Sequence, residues 1–335
     1  MARFALPLAL VVCMFWFAHA GEAFAECVSA PELAEFQTLA PADYEAGSTR
    51  RDGLGRVVAP VSVNGRGPFR FIVDTGANRS VLSRTLAEQL GLTPSGSSEV
   101  HSVHGVTVAP VVDVASLRYG SLSLVGAPMP ILDGPMFSGE QGLLGVDGMR
   151  GRRLRMDFRR NCIEISDSRT SPRLAGWATV RGELRFGHLV LLEGRVNDLR
   201  VSMFVDTGSN TTMANLALRD RLRELTSVRT HRLDPVRAYT AGEPVVLDRA
   251  IALPRVLLGP IEARNVIAYI GDFHIFRVWE LTDEPALLIG MDVLSQARAV
   301  AIDYGRATVH FRLQQQVRTG SRLPGRGGAG VTITN

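Results

Sequence analysis

Residues 61–83 decide the fold and read VSVNGRGPFRFIVDTGANRSVLS, and residues 194–214 repeat the pattern as GRVNDLRVSMFVDTGSNTTMA. Each copy alternates apolar and polar residues on both sides of a two-residue turn, Asn64-Gly65 in the first and Asn197-Asp198 in the second. Alternating segments around such a turn predict a β-hairpin. Both hairpins run directly into Asp-Thr-Gly, so the two triplets are predicted at equivalent positions of the two copies.

The later part of each copy also recurs. An apolar-apolar-Gly motif follows each triplet at a comparable distance along the chain, ending at Gly145 in the first copy and at Gly290 in the second. The segments between are short apolar runs interrupted by Gly and Pro, which are typical of an all-β fold. The repeat therefore predicts two like-built β lobes related by a pseudo-twofold axis. We predict short helices at Ser83–Leu90, Asn215–Leu225 and Met291–Gln296.

The N-terminus has the features of an export signal. Arg3 precedes an apolar run from Phe4 to Ala18, and small residues follow it. We therefore expect an exported protein, periplasmic or secreted, with no membrane span once the signal is removed; the alternative is an uncleaved anchor. The predicted division of the chain is a signal peptide at 1–25, an N-terminal extension at 26–51, a first lobe at 52–168, a linker at 169–177, a second lobe at 178–314 and a flexible C-terminal tail at 315–335.

Composition excludes several classes of protein. With 46% apolar residues and a net charge of +4, the 335-residue chain is neither disordered nor collagen-like. The sequence contains no Lys, which excludes lysine Schiff-base chemistry. No basic stripe is interleaved with aromatic residues, so we expect no nucleic-acid partner. Six Arg between Arg150 and Arg160 predict a charged, solvent-exposed strand edge, with contact to an anionic surface as the alternative.

Cysteine and histidine give no sign of a metal site. Cys13 lies in the predicted signal, which leaves Cys27 and Cys162 as a disulfide or as two free thiols. His101 and His104 form an H-x-x-H string without the Glu and the spacing of a zinc protease, so we expect them on a loop surface. We expect no metal and no cofactor.

The two Asp-Thr-Gly triplets carry the predicted chemistry. If the lobes pack about a twofold axis, Asp74 and Asp206 meet near it, and two carboxylates that close cannot both ionise cheaply. The pair would hold one proton, with one member taking a proton from water while the other hydrogen-bonds a scissile carbonyl. Glycine permits the tight bend and the threonine hydroxyl can bind the partner loop. The supporting residues are Thr75, Gly76, Thr207, Gly208 and Ser209.

These motifs resemble those of the retropepsin and pepsin superfamily of aspartic proteases, specifically the bacterial retropepsin-like type with two lobes fused in one chain. The resemblance covers residues 55–314. It implies two β-barrel lobes, catalytic Asp74 and Asp206, and a ψ-shaped loop around Gly145 and Gly290. It also implies a peptide or protein substrate, an endopeptidase activity without a cofactor, and a monomer.

The resemblance further implies a flap, a β-hairpin that closes over bound peptide. The candidates lie in residues 102–105 and 239–242, and they are His104, Gly105, Tyr239 and Gly242. Family members often carry the flap tyrosine in the first lobe, whereas here it lies in the second, so either flap could dominate.

Three further interpretations follow. A Ser209 hydroxyl bonded to its neighbouring carboxylate would bias the shared proton towards the other aspartate, Asp74. A protease-like module could bind a peptide or protein without cutting it. Lobes could also pair between chains, so that Asp74 meets Asp74 of a second molecule.

Overall fold

The computed structural model describes residues 55–159, 162–169, 176–187, 189–226, 228–241 and 244–313, and the backbone of 330–333. The predicted signal peptide, the whole predicted N-terminal extension, residues 170–175 of the linker, Gly242, and residues 315–329 and 334–335 of the predicted tail lie outside these ranges, and what was predicted for them stays a prediction. Within the described ranges, no helix is both long enough and apolar enough to cross a membrane.

The first lobe is a β-barrel. Strands β1, β2, β7, β3, β6 and β5 are hydrogen-bonded in that order, and pairing of β1 with β5 closes the ring. Its elements are β1 (Val58–Val63), β2 (Arg66–Val73), β3 (Val81–Ser83), α1 (Arg84–Gln89), β4 (Gly96–His101), β5 (Val106–Tyr119), β6 (Leu122–Leu132), β7 (Gly142–Leu144), β8 (Arg152–Asp157) and β9 (Cys162–Asp167).

The second lobe repeats this arrangement. Strands β11, β12, β17, β13, β16 and β15 form the ring, which β15 closes on β11. Its elements are β10 (Ala178–Arg185), β11 (Leu189–Val196), β12 (Leu199–Val205), β13 (Met213–Ala214), α2 (Leu216–Leu225), β14 (Thr230–Ala238), β15 (Val245–Leu258), β16 (Ile261–Ile270), α3 (His274–Val278), β17 (Ala286–Ile289), α4 (Met291–Leu294), β18 (Ala297–Asp303), β19 (Thr308–Leu313) and β20 (Gly330–Ile333).

The two lobes share one pairing pattern. In the first lobe β2 runs parallel to β7, β3 parallel to β6 and β3 antiparallel to β7. In the second lobe β12 is parallel to β17, β13 parallel to β16 and β13 antiparallel to β17. The predicted all-β fold of two like-built barrel lobes related by a pseudo-twofold axis is confirmed.

Both predicted hairpins are present. Asn64 and Gly65 have φ of 51° and 71° between β1 and β2, and Asn197 has φ of 52° between β11 and β12. Positive φ at the turn suits the right-handed twist of the flanking strands, and Asn and Gly tolerate it better than other residues. The alternating apolar residues of β2 and β12 are then directed into the cores, as in Phe71 and Met203, both fully buried.

The three predicted helices are also confirmed. The Ser83 side chain caps α1 by accepting from the Leu86 N–H, and Asn215 caps α2 by accepting from the Leu218 N–H. α4 begins after Gly290, as predicted, and ends at Leu294. A fourth helix, α3, was not predicted from the sequence.

A five-stranded sheet joins the lobes in the order β9-β8-β18-β19-β10. Because β8 pairs with β9 on one side and β18 on the other, it lies inside this sheet. The prediction of a solvent-exposed strand edge at the arginine-rich segment is therefore wrong. Arg153 is instead buried, where its guanidinium donates to Asp303 at 2.8 Å and 3.0 Å.

Part of the predicted tail is a strand, and one of the two cysteines left after the predicted signal forms a disulfide. Residues 330–333 form β20, antiparallel to β16, so the predicted flexible tail is wrong for these residues, whose backbone extends the second-lobe sheet. Cys162 is disulfide-bonded. Cys27 lies outside the described residues, so its pairing with Cys162 stays a prediction.

Candidate active site

The two barrels bring Asp74 and Asp206 together between the lobes. The Asp74 N–H donates to Leu144 O of β7 at 2.9 Å, and the Asp206 N–H donates to Ile289 O of β17 at 3.0 Å. These equivalent bonds fix where each strand ends, and the two carboxyl groups hydrogen-bond each other. The meeting of the two triplets that the sequence predicted is thus present within one chain.

The glycines of the triplets let each loop approach the opposite carboxyl. A Cβ on Gly76 would lie 2.8 Å from Asp206 Cγ, and a Cβ on Gly208 would overlap the Asp74 carboxyl. Neither glycine has a positive φ, so the requirement is space rather than backbone conformation. Any other residue here would separate the aspartates.

The threonines join the two loops by reciprocal hydrogen bonds. The Thr75 hydroxyl donates to Val205 O at 2.7 Å, and the Thr207 hydroxyl donates to Val73 O at 2.6 Å. Each hydroxyl also accepts the N–H of the other threonine, at 3.2 Å and 3.1 Å. Both side chains are buried, so these bonds hold the loops in one relative position.

Backbone N–H groups converge on the carboxylates. Asp74 Oδ1 accepts from the Gly76 N–H at 2.8 Å, and Asp206 Oδ1 accepts from the Gly208 N–H at 2.8 Å and the Ser209 N–H at 3.3 Å. These donors fix the orientation of each carboxyl group and stabilise a negative charge between the loops.

The electrostatics of the pair are asymmetric. Burial raises the pKa of Asp206 well above its ordinary value, and the charge of Asp74 raises it further. Burial also raises the pKa of Asp74, but the Gly76 N–H, the bond from Asp206 and the charge of Arg56 oppose that rise. Two adjacent carboxyl groups whose pKa values are both raised favour one shared proton on the pair.

Ser209 does not act as the sequence suggested. Its hydroxyl donates to Thr211 O at 2.8 Å instead of to a carboxylate, and only its N–H reaches Asp206. The predicted hydroxyl–carboxylate bond is wrong because the loop offers a nearer carbonyl acceptor. The predicted bias of the proton towards Asp74 depended on that bond, so Ser209 provides no support for it.

Gly145 and Gly290 pack beneath the two loops, as the resemblance implied. A Cβ on Gly145 would lie 2.6 Å from the Arg79 carbonyl carbon, and one on Gly290 would lie 2.6 Å from the Thr211 carbonyl carbon. Backbone atoms leave no room for a side chain at either position.

A matching pair of polar networks supports these loops. The recurrence of Asp147 and Asp292 in the two copies predicts turn-stabilising roles for them, but their partners Ser80 and Thr212 were not predicted. Ser80 donates to Asp147 through its hydroxyl at 2.6 Å and its N–H at 3.0 Å. Thr212 donates to Asp292 in the same way, at 2.7 Å and 3.0 Å. The same hydroxyls accept the N–H groups of the two ψ-loop glycines, at 3.1 Å and 3.2 Å. The signal was available, since Ser80 and Thr212 occupy the same place after their catalytic-loop aspartates in the two copies of the repeat.

The first-lobe flap candidate is the hairpin of β4 and β5. Its turn is closed by the Ser102 N–H, which donates to Gly105 O at 2.8 Å, and His104 at the tip is exposed. The hairpin contacts the second lobe through His101, whose Nδ1 lies 3.0 Å from His274 Nε2 of α3. The two imidazoles are near parallel, at 7°, with centroids 5.3 Å apart.

The second-lobe flap candidate is the hairpin of β14 and β15. Tyr239 in its loop is half-buried and packs, together with Ala241, at a first-lobe apolar cluster that includes Leu143. Ala77, which follows the first triplet, and Val100 of β4 pack at the same cluster. Both hairpins therefore contact the opposite lobe.

No group of three or more metal-ligating side chains occurs in the part of the chain that the structure describes. The chemistry that the site offers is that of two adjacent carboxyl groups, of which Asp206 is buried and Asp74 is half-buried.

The comparisons with known proteins agree with this geometry. The family model described as aspartyl protease matches residues 59–147 and 192–293, once in each lobe and over more than half of the chain. No curated protein sequence matches the chain. With one match around each Asp-Thr-Gly loop, the chain belongs to the aspartyl protease family.

Proposed function

We propose that the protein is an exported aspartic endopeptidase, which cleaves peptide bonds with a water activated between Asp74 and Asp206. The observation that carries this proposal is the direct contact of the carboxyl groups of Asp206, which is buried, and Asp74, which is half-buried. Family membership supports protease activity, and the N-terminal sequence supports export.

The mechanism needs one proton on the pair. The ionised carboxylate accepts a proton from the water, which attacks the scissile carbonyl carbon, and the protonated carboxyl donates to the carbonyl oxygen. The resulting gem-diol collapses as the C–N bond breaks: the leaving nitrogen takes up the proton that came from the water, and a gem-diol hydroxyl returns its proton to the other carboxylate, which restores one proton on the pair. No covalent enzyme intermediate forms.

The remaining residues act by position. The threonine bonds hold the two carboxyl groups at one separation, and the glycines keep that separation short. The β4–β5 and β14–β15 hairpins each contact the opposite lobe, and over a bound peptide they would exclude bulk water. Peptide entry requires at least one of these cross-lobe contacts to open.

The test is cleavage of a diverse peptide library across pH by the mature chain and by Asp74→Asn and Asp206→Asn. We expect a bell-shaped pH profile, inhibition by a statine-type compound, and a loss of about 10²- to 10⁴-fold in kcat/KM in either variant. Asp113→Asn is the matched control, since Asp113 is an exposed carboxylate on β5.

Wild-type cleavage that persists in Asp74→Asn would contradict the proposal. Tight peptide binding without cleavage at any pH would indicate the non-cutting binding module instead. Because Asp74 contacts Asp206 within one chain, we expect the specific activity to stay constant on dilution. A specific activity that falls on dilution would indicate pairing of lobes between chains.

A further inference from the structure

Arg56 lies next to the C-terminal end of β2, which directly precedes Asp74. It is 3% exposed, and its Nη2 donates to Met136 O at 2.6 Å. The carbonyl of the next residue, Val57, accepts the N–H of Val73, which directly precedes Asp74, at 2.8 Å. The backbone of Arg56 is thus fixed against the first catalytic loop, and its guanidinium is withdrawn from solvent.

The second lobe has no such charge in the equivalent position. By the pairing registers of β1 with β2 and of β11 with β12, Arg56 corresponds to Leu189. Leu189 is an apolar core residue, 1% exposed. Among the residues that the structure describes, the otherwise twofold arrangement around the two aspartates thus differs by the buried guanidinium of Arg56 on the Asp74 side, where the second lobe has Leu189.

We infer that Arg56 is a positioning residue whose charge keeps Asp74 as the ionised member of the pair and leaves the shared proton on Asp206. This rests on the proposed function, in which Asp74 then accepts the proton of the water and Asp206 donates to the scissile carbonyl. It also replaces Ser209 as the source of the asymmetry between the two loops.

The neighbouring groups agree with this division. Burial raises the pKa of Asp74, and the positive charge of Arg56 opposes that rise, an effect that a poorly solvated site strengthens. At Asp206, burial and the charge of Asp74 both raise the pKa. Burial raises the pKa of the Tyr304 phenol, and the negative charge of Asp74 raises it further, so Tyr304 stays neutral.

The test compares pH profiles of kcat/KM for wild type and Arg56→Gln, which keeps an N–H donor for Met136 O but loses the charge. We expect the acid limb to move to higher pH by about one pH unit, because Asp74 then ionises less readily. Arg56→Lys keeps the charge and should retain most of the wild-type profile. Arg118→Gln removes an exposed charge on β5, away from the catalytic loops, and should leave the limb unchanged.

A second measurement does not require cleavage. Infrared titration of ¹³C-labelled aspartate carboxyls, assigned with Asp74→Asn and Asp206→Asn, should show the Asp74 band ionising at higher pH in Arg56→Gln. Arg56→Leu, which copies the second lobe, provides the same readout if Arg56→Gln does not fold. An unmoved band would overturn the inference, whereas a moved band in a protein without peptidase activity would contradict only the proposed function.

Discussion

The Thr75 and Thr207 hydroxyls hold the two lobes together directly beneath the aspartates. Each donates to a carbonyl on the opposite strand and accepts an N–H from the opposite loop. Loss of one hydroxyl leaves a buried carbonyl and a buried N–H without a hydrogen-bond partner. Each such unsatisfied group lowers the free energy of unfolding by about 1–3 kcal/mol. The threonines therefore couple stability to the geometry of the site.

Thr207→Val tests this coupling, because valine keeps the shape of threonine and removes the hydroxyl. We expect the free energy of unfolding to fall by about 1–3 kcal/mol, with a parallel loss of kcat. Urea denaturation and peptide cleavage provide the two measurements. Thr207→Ser is the control, since it retains the hydroxyl, and equal destabilisation by both variants would show that the hydrogen bonds are not the cause.

Single residues were predictable from the sequence where the motif itself fixes their position. Asp74 and Asp206 follow equivalent strands, so their meeting could be predicted from the repeat alone. The direction of the Ser209 hydroxyl could not, because it depends on which acceptor the folded loop brings nearest. Arg56 was missed because its proximity to Asp74 follows from the β1–β2 register and not from any local pattern.

At the scale of elements, the β4 hairpin and α3 meet at a pair of imidazoles. A hydrogen bond between His101 and His274 needs one N–H and one free lone pair, so it is lost when both rings are protonated. Burial lowers the pKa of His274, and the charges of His101, Arg277 and His104 lower it further. Glu99, with Oε2 at 3.9 Å from His101 Nε2, is the acidic neighbour.

The sign of the pH effect follows from that shift. Because the pKa of His274 is lower in the folded protein, the unfolded chain binds more protons around the ordinary value of 6.5. The contribution of this contact is therefore present above pH 6.5 and is lost as the pH falls below it. We expect the β4–β5 turn to open more readily in acid.

Hydrogen exchange at the Ser102 amide, corrected for the intrinsic pH dependence, measures this opening. Wild-type exchange should rise as the solution is taken from neutral to mildly acidic pH, whereas His274→Gln, which does not titrate, should exchange with little pH dependence. His231→Gln removes an exposed histidine of β14 and should behave as wild type. The same pH dependence in all three proteins would rule out the imidazole pair as the cause.

Elements were predicted well where periodicity and turn chemistry were local. The hairpins at Asn64-Gly65 and Asn197-Asp198 needed only their own residues. The segment of β8 was misjudged because Arg153 and Arg155 pair with acidic side chains of neighbouring strands, which charge counting along the chain does not reveal. Arg153 with Asp303, on strands of different lobes, is the clearest case.

At the scale of the molecule, the sheet between the lobes depends on that buried ion pair. Asp303 is fully buried and also accepts the N–H of Gly305 at 3.1 Å and of Arg306 at 3.0 Å. Burial raises the pKa of Asp303, but bonds from Ser168 and Arg153 outweigh it, so the pKa is lowered overall. Its stabilising effect is present above the ordinary value of 3.8 and is lost as the pH falls below it.

Asp303→Asn should leave Arg153 buried without its counter-charge. We expect a loss of about 3–5 kcal/mol in the free energy of unfolding at neutral pH, measured by denaturant titration. Asp167→Asn is the control, because Asp167 pairs with Arg169 at the surface, where solvent screens the pair and its loss should be far smaller. Similar losses in the two variants would contradict a special role for the buried pair.

The placement of β8 in the middle of this sheet has a consequence for the separated halves. A polypeptide ending after β9 would present the side of β8 that normally bonds β18 as a row of unsatisfied amide and carbonyl groups. Antiparallel strands of identical sequence can satisfy such a row, so an isolated first half would recruit a second copy of itself. We therefore expect an isolated first lobe to form a dimer through the exposed edge of β8.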